Sequence, residues 1–330
     1  MKKTIYYCLY LVLLYLPVQS FAKQKVLIIE SYHSEFTWDQ SYIQGIKSVF
    51  KNDYELSYFQ MDTKRLPKTS YQERADKAWL YYQSMNPDLV ILGDDNALNY
   101  LAMRFSQTVT PVIYLGINNN PRYYNIHHSK NITGVLERPL IKRAIPTVTQ
   151  LLPQKVTRIL LMFDDSLTSH IILEEIFSTN TQATISGIKV DIRLIGDWST
   201  WKNELLTTKD KGYDAVFFGL YHTLKYQDGR NIPTDLVLQW SVENTPVPPF
   251  SFWEVSIGAD KAIGGLVLFG YDQGVLAAEM AKEVLVTGKQ PYLLGTKTAE
   301  KGHYLFSRKA LQKYGLTLPE KMAQKTRFVD

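Results

Sequence analysis

The chain has 330 residues, 45% hydrophobic and 21% charged, which is globular composition with length for one large or two medium domains. The formal net charge is +5, yet no run of five or more Lys and Arg occurs, so a nucleic-acid footprint of that kind is excluded. Tyrosine is abundant at 22 residues, which suits either packing or an aromatic-lined pocket.

Residues 1–22 read as a secretory signal. Met1-Lys2-Lys3 is the positive start, 5–18 the apolar stretch and Ser20-Phe21-Ala22 a small-x-small cleavage site. The apolar stretch is short for a membrane span and Pro17 interrupts it, so cleavage after Ala22 is expected rather than anchoring. Cys8, the only cysteine, lies inside it, too early for a lipid-acceptor site. The mature chain then has no thiol, no disulfide and no cysteine metal ligand. No later segment reaches the roughly 20 apolar residues of a span. The expected product is soluble, exported to the periplasm of a bacterium, and monomeric.

Residues 26–29 form a short apolar run, which suits a strand buried on both faces. It ends in the polar and aromatic stretch from Glu30 to Trp38. Tyr42, Ile43, Ile46, Val49 and Phe50 then recur at helical spacing. A second strand is expected over 54–59, with a polar exit at Gln60-Met61-Asp62-Thr63-Lys64-Arg65. A helix over 71–85 stops before Pro87. Strand 89–92 runs into Gly93-Asp94-Asp95-Asn96 and a helix over 96–105, with Asp94 or Asp95 as its cap. Strand 111–115 ends in Gly116-Ile117-Asn118-Asn119-Asn120-Pro121. Such alternation implies a parallel sheet.

A lone strand over 131–136 leads to Glu137-Arg138-Pro139, read as a first crossover. A helix over 140–152 is closed by Pro153. The pattern then restarts, with strands at 156–163, 188–194 and 215–218 and helices at 166–177, 198–206 and 235–242. A Gly-flanked strand follows over 263–267. Tyr271-Asp272-Gln273-Gly274 opens a helix through 275–286. The tail holds a strand over 303–306 and a helix over 309–314. The fold class is α/β, a loose doubling of one unit.

In an open parallel sheet, ligands bind beyond the carboxyl ends of the strands. Tyr32, Phe36 and Trp38 at the first strand's exit form an aromatic wall or a helix-entry staple. Asp94, Asp95 and Asn96 accept from a ligand ammonium group or cap a helix. Asn118 and Asn119 offer amides to a polar ligand or make a turn. Arg138 suits a bidentate pair with a ligand carboxylate, or a surface ion pair. Asp165 and Ser166 top a strand where helix-start N–H groups hold anions. Tyr221 and His222 top a later strand. Trp253 and Glu254 lie near a crossover, where Trp253 either faces Trp38 across the ligand or packs in a hinge. No G-x-S-x-G, H-E-x-x-H or phosphate-loop motif is present, and the six His are scattered. No catalysis, metal or cofactor is expected.

The C-terminal third resembles the ABC-transporter substrate-binding family with a type I periplasmic-binding-protein fold, the group that includes tryptophan/tyrosine binders. The stretches that carry the resemblance are Gly264-Gly265, Tyr271-Asp272-Gln273-Gly274 with 277–280, Gly288-Lys289-Gln290-Pro291, and 311–319, LQKYGLTLP. The N-terminal third resembles periplasmic sensor domains of bacterial histidine kinases. It does so through Ser31-Tyr32-His33 with Trp38, Asp62-Thr63-Lys64-Arg65, 94–98 and Gly116-Ile117-Asn118. Through these motifs His33 and Asp272 join the ligand-binding candidates.

The resemblance implies two lobes, each a parallel sheet flanked by helices, joined by a hinge of three crossovers with ligand clamped between. The first lobe is expected over 23–135 with 254–290 returning to it, and the second over 136–253 with 291–330 returning. The implied function is capture of a small ligand by lobe closure and delivery to an ABC permease. An amino acid or small carboxylate with an apolar body is favoured; sugars also stack on aromatics. The alternative is docking of the closed form on the periplasmic domain of a sensor kinase. The kinase relatives continue into a membrane helix where this chain stops at Asp330, so a free-standing binding protein is implied.

Overall fold

The structure is a computed structural model that describes residues 22–299 and 302–330. All of the expected signal segment but Ala22 lies outside the described residues. The first sheet is built from β1 (Lys25–Glu30), β2 (Glu55–Gln60), β3 (Leu89–Gly93), β4 (Val112–Ile117) and β5 (Ile132–Leu136). They are ordered β2-β1-β3-β4-β5, all parallel. Helices α1 (Thr37–Phe50), α2 (Tyr71–Met85) and α3 (Asp94–Phe105) make the crossovers. The apolar run of β1 divides by the strand's two-residue period. Val26 and Ile28 face one core, Leu27 and Ile29 the other. Burial of each such side chain stabilises by about 1.5–3 kcal/mol.

The second lobe repeats the plan with α4 (Ile141–Thr149), β6 (Arg158–Asp164), α5 (Leu167–Phe177), β7 (Gln182–Ile185) and β8 (Ile188–Ile195). It continues with α6 (Trp198–Leu206), β9 (Ala215–Phe218), α7 (Thr234–Asn244) and β10 (Pro249–Ser251). Strand order is β7-β8-β6-β9-β10, and only β7 runs antiparallel. The sequence pattern does not announce β7. It is a hairpin arm joined to β8 through Ser186 and Gly187, both at positive φ (51° and 81°), the geometry of a tight hairpin turn.

The remainder holds β11 (Gly264–Val267), α8 (Gly270–Thr287), β12 (Lys297–Thr298), β13 (His303–Phe306), α9 (Arg308–Lys313), α10 (Glu320–Ala323) and β14 (Thr326–Phe328). β11, β13 and β14 form a third sheet. It joins the second lobe at β10, where the Ile263 N–H donates to the Pro249 carbonyl at 2.9 Å. α8 packs on α1, and β12 extends the first sheet beside β5. These placements correct the expected boundaries. β11 sits with the second lobe although it falls within 254–290, and the chain keeps to the first lobe through Thr298. Short strands such as β11 and β12 take their sheet from the register they find, which their sequence does not encode. The chain thus passes between lobes at 137–140, at 268–269 and between β12 and β13.

Both sheets place their reversal of strand order beside the first strand of each lobe. In the first lobe it falls between β1 and β3, in the second between β6 and β9. Loops leaving such a pair of strands diverge and open a crevice.

Candidate functional site

The two crevices face each other and enclose a narrow cleft lined by residues of both lobes. On the first lobe the strand exits are tied together by two small hydroxyls. The Ser31 Oγ donates to the Gly93 carbonyl (2.5 Å) and accepts from the Ala97 N–H (2.8 Å). The Thr63 Oγ1 donates to the Ser31 carbonyl at 2.7 Å. This knot fixes Tyr32, Lys64 and Asp94, which line the cleft with Phe36, Trp38 and Asn118. Asp94 opens α3 at φ 69°, a conformation few non-glycine residues adopt and one that clusters at functional sites.

On the second lobe Asp164, at the end of β6, organises the loop after β9. Its Oδ2 accepts from the N–H groups of His222 (2.8 Å) and Thr223 (3.0 Å), and its Oδ1 from the hydroxyls of Ser166 (2.6 Å) and Ser169 (2.7 Å). Burial alone would raise this carboxyl; the Ser166 bond, the charge of Lys64 and the Ser169 bond outweigh it and hold it below the ordinary range. The loop presents His222 beside Gly219 and Leu220. At the hinge, the Glu137 Oε1 accepts from the Trp253 indole at 2.7 Å, and its Oε2 from the Asn118 amide at 3.1 Å. The lobes touch around the cleft. Phe36 meets His222 edge-on at 5.1 Å, and the Asn231 amide donates to the Lys64 carbonyl at 3.3 Å.

The electrostatics are lopsided. Burial, then the charges of Asp39 and Glu137, push the Asp94 carboxyl well above the usual carboxylate range. Burial raises Glu137 to about 7 against the hydrogen bond from Trp253. Burial and the charge of Lys64 take His222 down to about 3, so its imidazole is neutral. Among the described residues Lys64 is the one cation lining the cleft. Its Nζ lies 4.2 Å from the Tyr32 ring centre and 4.7 Å from that of Phe36, and burial lowers it. It forms no ion pair among the described residues. Four buried polar atoms of the lining have no partner among the described residues: Trp38 Nε1, Asp94 Oδ2, Asn118 Oδ1 and His222 Nδ1. An orphaned buried polar group costs about 1–3 kcal/mol. A bound molecule that supplied one acceptor and two or more donors would relieve that cost.

Residues 105–329 match a family described as ABC transporter substrate binding protein. The chain belongs to that family. Members that serve ABC importers bind small molecules in the periplasm or outside the cell, and the family is typically non-enzymatic. Solved structures align with this ABC transporter substrate binding protein over nearly its whole length. The ABC domain in complex with L-Trp from Streptococcus pneumonia has a TM-score of 0.66 at 19% identity, covering 93% of this chain and 99% of that one. A conserved domain protein from Vibrio cholerae reaches 0.69 at 15%, covering 93% and 99%. CD0873 from Clostridium difficile, a substrate binding protein with adhesive properties in its ligand-free, open form, reaches 0.64 at 14%, covering 94% and 99%. These likenesses give the fold, that of type I periplasmic binding proteins. No curated protein matches the sequence. Among the described residues no helix is long and apolar enough to cross a membrane.

The sequence-predicted residues divide in this substrate binding protein. Tyr32, Trp38, Asp94, Asn118, His222 and Trp253 line the cleft. The others do not. Asp95 accepts from the N–H groups of Asn118 (3.2 Å) and Asn119 (3.1 Å) and from the Tyr124 hydroxyl (2.7 Å), so it holds the loop after β4. Neither Asp94 nor Asp95 caps α3, whose cap is Gly93. Asn96 donates to the Thr63 hydroxyl at 2.9 Å, and Asn119 turns its carbonyl oxygen onto the Asn120 N–H at 2.8 Å. Arg138 spends Nη1 on the carbonyls of Ile117, Asn118 and Glu137 at 2.9, 2.8 and 2.7 Å, a backbone tie beside the hinge.

Asp165 is exposed and pairs with His170 at 2.6 Å, while Ser166 caps α5. Tyr221 bonds Ser256 at 3.0 Å and stacks under His222. His33 faces Asp62 at 3.5 Å, outside the cleft. Glu254 accepts from Ser41 (2.5 Å) and the Gly270 N–H (3.0 Å), linking hinge to α1 and α8. Asp272 pairs with His303 at 2.7 Å, also away from the cleft. Sequence reasoning missed Lys64, Glu137 and Thr168 as lining residues. For Lys64 the signal was its place in the polar exit of the second strand.

Proposed function

We propose that this protein is a periplasmic solute-binding protein that clamps a small amine-bearing ligand with an apolar or aromatic body, of the amino-acid class, and delivers it to an ABC permease. The carrying observation is the set of unpartnered atoms in one aromatic-walled cleft. Asp94 Oδ2 and Asn118 Oδ1 want N–H donors, which an ammonium group supplies. The Trp38 N–H and the Lys64 ammonium want an acceptor, which a carboxylate supplies. Tyr32, Trp38 and Trp253 offer faces to the apolar part. The ligand bridges lobes and so favours the closed form over an open one. The solved L-Trp complex of a protein of the same fold agrees with this chemistry. The mature chain is read as a monomer starting at Lys23.

Thermal unfolding of the chain from Lys23 against amino acids, organic acids, sugars and nucleosides tests this. A ligand at 100 times its Kd adds roughly 2.7 kcal/mol of stability. Stabilisation by amine-bearing amino acids is expected. A response confined to sugars or to acids without an amine would overturn the reading.

A pH dependence follows from Asp94. Its carboxyl is held well above the ordinary range in the free protein, chiefly by burial. An ammonium group beside it favours the ionised form, so binding below the free-state value releases a proton. Affinity is expected to rise with pH until the free carboxyl is ionised. Calorimetric binding heats are expected to vary with the ionisation heat of the buffer; heats that do not vary would mean that no proton leaves.

A further inference from the structure

The cleft does not end at Phe36 and His222. Beyond that pair lies a wider hollow at the mouth of the lobes. His33, Thr37 and Arg65 line it from the first lobe, and Tyr221, Asn231 and Lys261 from the second. Phe36, Lys64, His222 and Val255 line both spaces, so the two share one wall. That wall is thin. It includes the edge-on contact of two rings, and Phe36 sits half-buried in the loop between β1 and α1.

The charges of this vestibule are unevenly matched. Arg65 is taken up by Asp62 at 2.7 Å and reaches Glu35 at 3.5 Å. Lys261 donates only to the Val255 carbonyl, at 2.9 Å, and meets no carboxylate among the described residues. Lys64 forms no ion pair among the described residues, although the charges of Asp164 and Asp94 act on it, and it lines both spaces. His222, 6% exposed, leaves Nδ1 unpartnered at the shared wall. Asp235, the remaining acid, lies exposed in the first turn of α7. So a cleft that wants an ammonium group opens onto a vestibule with two ammonium groups that form no ion pair among the described residues.

We propose that the preferred ligand is a short peptide rather than a free amino acid. Its N-terminal residue fills the cleft with the α-ammonium on Asp94 and Asn118, its chain passes the Phe36–His222 wall, and its C-terminal carboxylate reaches Lys64 and Lys261. The inference rests on the amine-binding reading above and adds the extent of the ligand.

Calorimetric titration of the mature chain with L-phenylalanine, the dipeptide Phe-Gly and Phe-Gly amide tests it. Phe-Gly is expected to bind at least tenfold tighter than phenylalanine, and the amide to lose that gain. Lys261→Gln is expected to bring Phe-Gly down to the level of phenylalanine while phenylalanine binding is unchanged. Lys261→Met, which keeps the aliphatic stem, is expected to do the same. Phenylalanine binding as tightly as Phe-Gly, or a preference for Phe-Gly that survives both variants, would overturn the inference and leave the amine-binding reading standing. Failure of phenylalanine and both peptides to bind the folded wild-type chain would overturn both.

Discussion

Asp94→Asn is expected to weaken ligand binding roughly a hundredfold and to raise the melting temperature of the ligand-free protein. The loss follows from charge. Removing one partner of a buried charge pair costs about 2–5 kcal/mol, and about 1.4 kcal/mol is a factor of ten. Asparagine keeps the shape, keeps an acceptor oxygen and tolerates φ 69° at least as well as aspartate. The gain follows from the direction of the pKa shift. Burial holds the Asp94 carboxyl above its unfolded value, so the unfolded chain ionises first as pH rises. The folded state therefore loses stability as pH climbs through the ordinary carboxyl range, until the folded group ionises as well. Asparagine has no such penalty. The stabilisation should grow as pH rises above the ordinary carboxyl range and vanish near pH 3, where aspartate is neutral in both states, apart from any effect of the amide itself. Thermal melts at several pH values, beside calorimetry with the best amino acid of the panel, check both halves. A variant that loses binding and stability together would make Asp94 a structural residue.

That opposition between site and stability explains which parts of the site were legible in the sequence. The apolar runs of β1, β3, β6 and β9 have no polar position, so they read as strands buried on both faces. Their polar exits mark the cleft at once. What the pattern leaves open is which of two neighbours points inward. Asp94 and Asp95 are adjacent in the first turn of a helix and so about 100° apart. One faces the cleft and the other bonds back to the loop after β4. Glu137 and Arg138 are adjacent in an extended segment and take opposite sides. The glutamate lines the cleft and the arginine ties carbonyls. In the second lobe Asp165 and Ser166 read from the sequence as the strand-top pair, whereas Asp164 is the residue that holds the His222 loop. Lys64 belongs to a loop with no periodicity to read. β7, β12 and β14 are two to four residues long and are fixed by partners that sequence pattern does not reveal.

Gly274→Ala is expected to destabilise the fold by about 3 kcal/mol, at the upper end for overpacking a tight contact. α1 and α8 pack at glycines on both sides. A methyl group on Gly274 would overlap the Tyr42 carbonyl, and one on Gly45 the Tyr271 carbonyl. The obstacles are backbone atoms, so no rotamer change makes room and the helices must move apart. Their spacing also sets the site. α1 carries Trp38 in its first turn, and the Ser41 Oγ, which accepts from the Tyr271 N–H at 2.9 Å, donates to Glu254 beside the hinge residue Trp253. Separating the helices therefore shifts the Trp38 wall against the hinge. Melting temperature is expected to fall by roughly 6–12 °C at 2–4 °C per kcal/mol, and ligand affinity to fall with it. Val286→Ala, on the same helix but 68% exposed, is expected to change stability by no more than about 0.5 kcal/mol. Equal effects of the two substitutions would mean that helix propensity, and not the close approach of α1 and α8, governs this face.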